Sequence, residues 1–303
     1  MHGPKNQGKS FDISKRLVWD AYLKVRENKG AAGIDGVTIE RFEENLKGNL
    51  YQLWNRMSSG SYFPGAVRAV EIPKSGGGVR VLGIPNVVDR IAQTVAVMML
   101  EPGVEQVFHE DSFGYRPERS ALDAVAVCRK RCFRNDWVLD MDIRKFFDTV
   151  PWDLMEKAVA RHTDQKWILL YVGRWLRALL QMQDGTVVRR DKGTPQGAAI
   201  SPLLANLFMH YAFDMWMKRE FPGIRFERYC ETWWSTVSAN VKPASCGTRS
   251  PAGWPRLGWN FILTRPVWSI VRTVDDAEHM NRYRSRSWVT SSDPGKLSIG
   301  NTE

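Results

Sequence analysis

The residues best placed to do chemistry are two aspartates, Asp140 and Asp142, in the stretch Trp137-Val-Leu-Asp-Met-Asp-Ile-Arg-Lys-Phe-Phe-Asp148. Residues 138–143 alternate apolar and acidic side chains, which predicts a short strand carrying both acids on one side. Carboxylates at a strand end are suited to metals and phosphates; the plainer reading is a solvated edge. Lys74 and Arg80 flank a glycine-rich hairpin tip. Such a tip can fold over a triphosphate, with Lys as a point charge and Arg as a fork matching phosphate oxygens, or it is simply an exposed basic hairpin. In Gly193-Thr-Pro-Gln-Gly197 the amide of Gln196 is presented to a base or sugar, unless the loop only leads into the next helix. Arg116 and Arg119 lie beside Tyr115, a basic and aromatic cluster of the kind that holds a backbone or stacks a base. The alternative there is a loop anchored by Phe113 and Tyr115. His109, His162 and His210 have no mutual spacing that suggests a metal and read as structural.

The elements that must position these residues follow from periodicity. Residues 11–28 and 39–57 have helical spacing of apolar residues. Residues 66–73 and 79–84 are β-branched runs forming a hairpin around the glycine tip. A helix is expected over 86–100, capped by Asn86 and stopped before Pro102. Ser120 caps another, to about Phe133. The aspartate strand is followed by a helix opening at Pro151 and a Trp/Leu-rich helix over 167–180. Asp184-Gly185 turns a hairpin, Ser201-Pro202 opens an apolar helix, and 226–229 starts a further strand.

Composition narrows the class. The 303 residues include 43 Lys+Arg against 33 Asp+Glu, a net charge of +10, which fits a polyanionic partner or a solvated basic surface. The four cysteines make no zinc pattern, and Cys128 and Cys132, four apart on a helix, read as reduced thiols of a cytoplasmic protein. Residues 1–10 have no apolar core, so no signal peptide is expected. No apolar run reaches the ~18 residues of a membrane span.

Taken in order, several stretches resemble the group II intron-encoded reverse transcriptases (maturases). They are Asn28-Lys-Gly-Ala-Ala-Gly-Ile-Asp-Gly36, Arg80-Val-Leu-Gly-Ile-Pro85 with Asp89-Arg90, and Ser112-Phe-Gly-Tyr-Arg-Pro117. The aspartate stretch itself and Gly193-Thr-Pro-Gln-Gly-Ala-Ala-Ile-Ser-Pro-Leu-Leu-Ala-Asn206 complete the set, which covers about Lys9 to Tyr229. Ala198 stands where the family usually has a second glycine. The resemblance implies an α+β right-hand polymerase, the reverse-transcriptase fold. Fingers would occupy 11–135 after a tail at 1–10, and an incomplete palm 136–230. It implies that Asp142 binds metal, assisted by the Ile143 carbonyl. Phe147 would stack under the incoming sugar, Lys74 and Arg80 would hold the triphosphate, and Gln196 would contact primer or dNTP. The implied cofactor is a pair of Mg²⁺ ions. The implied partners are group II intron RNA, an RNA template with DNA primer, and dNTPs, with no membrane. Related alternatives are a retron-type enzyme and a catalytically dead RNA-binding fragment.

The family's second carboxylate strand carries Tyr-Ala-Asp-Asp. Here Tyr229 is followed by Cys230-Glu231-Thr232, so one carboxylate is lengthened, with Glu231 as a metal ligand in its place, and the other is gone. Residues 231–303 resemble neither the family's thumb nor its maturase domain and hold six of the 13 tryptophans. One back-translation of Cys230 to Val237 is TGC GAG ACG TGG TGG TCC ACT GTN. Inserting one C after the second base of the Glu231 codon yields Cys-Asp-Asp-Val-Val-Val-His-Cys, which restores the motif. In that same shifted frame, residues 258–270 permit Leu-Glu-Leu-His-Pro-Asp-Lys-Thr-Arg-Val-Val-Tyr-Cys, again family-like. A one-nucleotide deletion in codon 231 would account for the tail; the alternative is a divergent tail with a role of its own. Polymerase activity is expected to be lost, residues 232–237 to complete a hairpin by accident, and the remaining tail to be disordered.

Overall fold

A computed structural model describes residues 9–73, 78–135, 137–143, 146–237 and 267–270, with residues 137, 139–142, 237 and 267–270 described by their backbone. Lys74 and most of the tail expected to be disordered lie outside the described residues. In chain order the elements begin with α1 (Lys15–Glu27), α2 (Ile39–Glu43), α3 (Leu46–Ser59), β1 (Val67–Pro73), β2 (Val79–Ile84) and α4 (Val87–Glu105). Next come α5 (Ala121–Cys132), β3 (Trp137–Asp142), α6 (Phe146–Thr149), α7 (Trp152–Ala160), α8 (Lys166–Leu176), β4 (Leu180–Gln181) and β5 (Val187–Val188). The chain then forms α9 (Ser201–Met209), a π-helical turn (His210–Asp214), α10 (Met215–Glu220), β6 (Arg225–Tyr229), β7 (Thr232–Val237) and β8 (Val267–Ile270). The architecture is α+β, as the sequence leads one to expect. It divides into two units, residues 1–108 with 146–208, and 109–145 with 209–303.

The first unit is built on helices. Ser14 caps α1, its hydroxyl accepting from the Leu17 amide at 3.0 Å. Helix α1 buries Val18, Ala21, Tyr22 and Val25, one stripe at helical spacing, and packs on α3 and α4. The Trp54 indole donates to the Ile13 carbonyl at 2.7 Å, and the Tyr171 hydroxyl to that of Met57 at 2.6 Å, which ties α3 to its neighbours. A sheet ordered β2-β1-β4-β5 completes the unit. Two boundaries differ from the sequence reading. The single helix expected over 39–57 breaks at Asn45, which leaves helical geometry (φ −129°) while the Asn49 side chain donates to the Phe42 carbonyl at 2.8 Å. Short polar side chains offer the backbone partners outside the helix ladder, and here they end one helix and start another. Helix α4 runs through Pro102 to Glu105 instead of stopping. The proline removes one ladder bond, but Leu100 and Val104 on either side are fully buried and hold the turn in place.

The second unit is a sheet ordered β6-β7-β3-β8 with α5 packed on β6 and β7. Residues 232–237 do form the second arm of a hairpin, as expected. β7 is a central strand, antiparallel to both β6 and β3. Phe213, Phe226 and Trp233 make its core, with ring centroids 4.4 Å apart for Phe213–Trp233 and 5.0 Å for Phe213–Phe226. Two arginines brace it through ion pairs with buried acids. The Arg228 guanidinium forks onto Asp214 at 2.8 Å through Nε and Nη2, both residues being at most 1 % exposed. Arg131 forks onto Asp111 and also donates to Glu227 at 2.6 Å. No helix among the described residues is long and apolar enough to cross a membrane.

Candidate active site

The sequence-predicted residues fall into one group in each unit. In the second unit, β3 ends at Asp142 directly beside the β6–β7 turn. Asp142 is the register partner of Thr232, and the Ile143 amide donates to the Glu231 carbonyl at 3.3 Å. The turn is two residues long, Cys230 and Glu231, between the paired Tyr229 and Thr232. Cys230 adopts φ +59°, the left-handed backbone that a tight hairpin turn demands at its first position. The Phe113 amide donates to the Arg228 carbonyl at 2.8 Å, which lays the Phe113–Pro117 loop against this turn. Gly114 allows the approach, since a Cβ there would stand 2.3 Å from the Cys230 nitrogen. Burial pushes the Cys230 thiol up to about 11, so it is neutral at ordinary pH.

This arrangement tests whether the chain's own donors suit a pair of Mg²⁺ ions. Mg²⁺ demands near-octahedral hard oxygen ligands, and a two-ion site needs several carboxylates on adjacent strands. Opposite Asp142 stands a neutral threonine, and the Glu231 carbonyl is already engaged by the Ile143 amide. At this turn Asp142 and Glu231 carry carboxylates and position 232 does not.

In the first unit the Gly193–Gly197 loop collects the other predicted residues. The Gly193 and Thr194 amides donate to the carbonyls of Val150 and Phe147, each at 2.7 Å. The Trp152 indole donates to the Gly193 carbonyl at 2.7 Å. At the far end of the loop the Gly83 amide donates to the Gln196 carbonyl at 2.6 Å, and Arg80 Nε donates to the Gln196 side chain at 2.5 Å. Gly197, at φ +110°, lets the loop pass the Gly83 carbonyl, which a Cβ would meet at 2.8 Å. Arg80, Gln196 and Phe147 therefore belong to one hydrogen-bonded assembly, with Phe147 buried and the Arg80–Gln196 pair exposed.

Arg116 and Arg119 play different parts. Arg116 is buried and donates to the His109 and Ser112 carbonyls at 2.7 and 2.6 Å, so it holds its own loop. Arg119 is exposed, donates to the Glu110 carbonyl and lies over the Phe113 ring at 5.5 Å. Cys128 and Cys132 are free and half-buried, their sulfurs 3.9 Å apart.

Sequence reasoning passed over Asp89. It is buried, accepts from the Tyr62 hydroxyl at 2.6 Å and the Gly65 amide at 3.1 Å, and burial pushes its carboxyl up to about 6. The signal was in plain view in Asp89-Arg90, but an acid in a first helical turn reads as an ordinary dipole partner.

Residues 72–231 match the family described as reverse transcriptase (RNA-dependent DNA polymerase). Among curated relatives, Protein YkfC of Escherichia coli (strain K12) is 35 % identical over 201 residues, 64 % of this chain and 52 % of its own length. The COX1/OXI3 intron 1 protein of Saccharomyces cerevisiae is 31 % identical over 198 residues, 65 % of this chain and 24 % of its own length. The group II intron-encoded protein LtrA of Lactococcus lactis subsp. cremoris is 29 % identical over 198 residues, 64 % of this chain and 32 % of its own length. The chain thus spans about half the length of the first of these relatives and a third or less of the other two.

Proposed function

The chain belongs to the reverse transcriptase (RNA-dependent DNA polymerase) family, and from that premise we propose that it is a group II intron-encoded reverse transcriptase that keeps RNA binding and has lost polymerisation. The names of two relatives support the intron assignment. In this reading residues 11–135 are fingers and 136–230 an incomplete palm. Arg80 and Gln196, with Lys74, face an incoming dNTP, and Phe147 packs beneath its sugar. Arg119, exposed on its loop, contributes to the nucleic-acid surface together with the net charge of +10.

The observation that carries the loss of chemistry is Thr232 opposite Asp142. A neutral hydroxyl at this register leaves too few carboxylates to hold two Mg²⁺ ions.

The deletion reading has two further supports. The family match ends at residue 231, the codon in question. In addition, β7 buries polar groups that a core strand avoids. The Trp233 indole N–H and the Ser235 and Thr236 hydroxyls have no hydrogen-bond partner among the described residues. Each such group costs ~1–3 kcal/mol when buried. In the restored frame positions 233 and 235 are both valine, which removes two of the three.

Primer extension on an RNA template with a DNA primer, in Mg²⁺ and again in Mn²⁺, tests the proposal. No dNTP incorporation is expected. Incorporation that Asp142→Ala abolishes would overturn it.

A further inference from the structure

Apart from the residues discussed so far, the first unit carries a concave surface. A groove of about 440 Å³ opens beside the C-terminal half of α8, lined among others by Phe63, Pro64, Leu170, Arg174, Arg177 and Leu179. That volume lies within the ~300–1,000 Å³ of ordinary ligand sites. The Phe63 ring is 70 % exposed, far more than packing requires of a phenylalanine. The Arg174 guanidinium lies 3.8 Å from its ring centroid and is itself held by the Gly60 and Tyr62 carbonyls. Ring and cation therefore form a platform fixed to the backbone, with much of the ring open to solvent. Farther along, Arg177 lies over the Trp152 ring at 5.1 Å and pairs with Glu156, its side chain half exposed. An exposed pair of this kind is worth little in water, so a phosphate can replace Glu156 on Arg177. The lining holds two arginines and no acid.

Exposed aromatic faces next to arginines are how proteins hold unpaired bases, which stack on the ring while the backbone phosphates meet the cations. A duplex offers no free base face, and an acidic peptide offers charge without a flat partner for Phe63. We infer that this groove binds single-stranded nucleic acid, one unpaired base stacking on Phe63 and the adjoining phosphate pairing with Arg177. The inference extends the RNA-binding part of the proposed function, and it concerns a surface that takes no part in nucleotide transfer.

Fluorescence anisotropy of the full chain with short labelled single-stranded RNA, and with an RNA duplex of equal length, tests this. Because Phe63 is exposed, Phe63→Ala leaves the fold intact, which circular dichroism checks. Phe63→Ala is expected to weaken single-strand binding ~5- to 100-fold while duplex binding changes less than about twofold, and Phe63→Trp is expected to retain wild-type affinity. Arg177→Gln is expected to reduce the salt dependence of single-strand binding by about one phosphate contact. Unchanged single-strand affinity in Phe63→Ala overturns the inference and leaves the groove to another occupant, such as a protein. Equal losses on both probes, or a Phe63→Trp variant as weak as the alanine one, overturn it as well. Nucleotide incorporation by the wild-type chain would instead sink the proposed loss of polymerisation and leave this groove standing, so the two failures are distinguishable.

Discussion

Asp89 shows what a single buried acid does in this chain. It lies beneath the Gly65 turn, shielded from water, where the Tyr62 hydroxyl and the Gly65 amide donate to it. Its pKa of about 6 in the folded chain stands above the ordinary 3.8. The folded state therefore holds this proton more tightly than the unfolded state. Asp89 favours folding below about pH 4, and that contribution is lost as pH rises through about 6, a difference of ~3 kcal/mol. Urea denaturation followed from pH 4 to pH 6.5 is expected to give a decline in stability that Asp89→Asn flattens. An Asp89→Asn variant that keeps the wild-type slope would show that other groups set the dependence. The sequence shows the Asp89-Arg90 pair but not the burial that perturbs Asp89. Burial raises its pKa, and the hydrogen bonds from Tyr62 and Gly65, more than twenty positions away in the chain, offset only part of that rise.

At the scale of elements, local signals explain most of what forms. The stripe Val18, Ala21, Tyr22 and Val25 makes α1, the Ser120–Asp123 capping box starts α5, and the basic glycine tip separates β1 from β2. The sequence reading missed where two local rules compete. Asn45 breaks a helix that apolar periodicity would continue, and buried neighbours carry α4 through Pro102. Of the candidate site residues, Arg80, Gln196 and Phe147 do meet through the Gly193–Gly197 loop. The structural duty of Arg116 depends on carbonyls of its own loop, and residue type alone does not reveal it. β7 is the unusual element. Its β-branched and aromatic residues suffice to enter the sheet, yet it buries the Ser235 and Thr236 hydroxyls without partners among the described residues. Ser235, fully buried, gives the cleanest test. Ser235→Ala is expected to stabilise the chain by ~1 kcal/mol, because it removes an unpaired hydroxyl and leaves no larger group to accommodate. A fall in the urea midpoint would mean that the hydroxyl has a partner after all.

For the whole molecule, the two units divide the family's residues between them. The loop assembly of Arg80 and Gln196 belongs to the first, and the Asp142 hairpin to the second. The family was legible because its motifs keep their order along the chain. The tail was legible only as a break, since apolar periodicity ends where the family match ends, at residue 231. The central claim is that polymerisation was lost through one missing nucleotide in codon 231, and the coding DNA tests it most directly. The account expects GAG at codon 231, so that one inserted C restores Tyr-Cys-Asp-Asp. It also expects that frame to run past codon 303 into sequence with helical apolar periodicity. Codons that forbid the restored motif, or a shifted frame soon closed by stop codons, would contradict it.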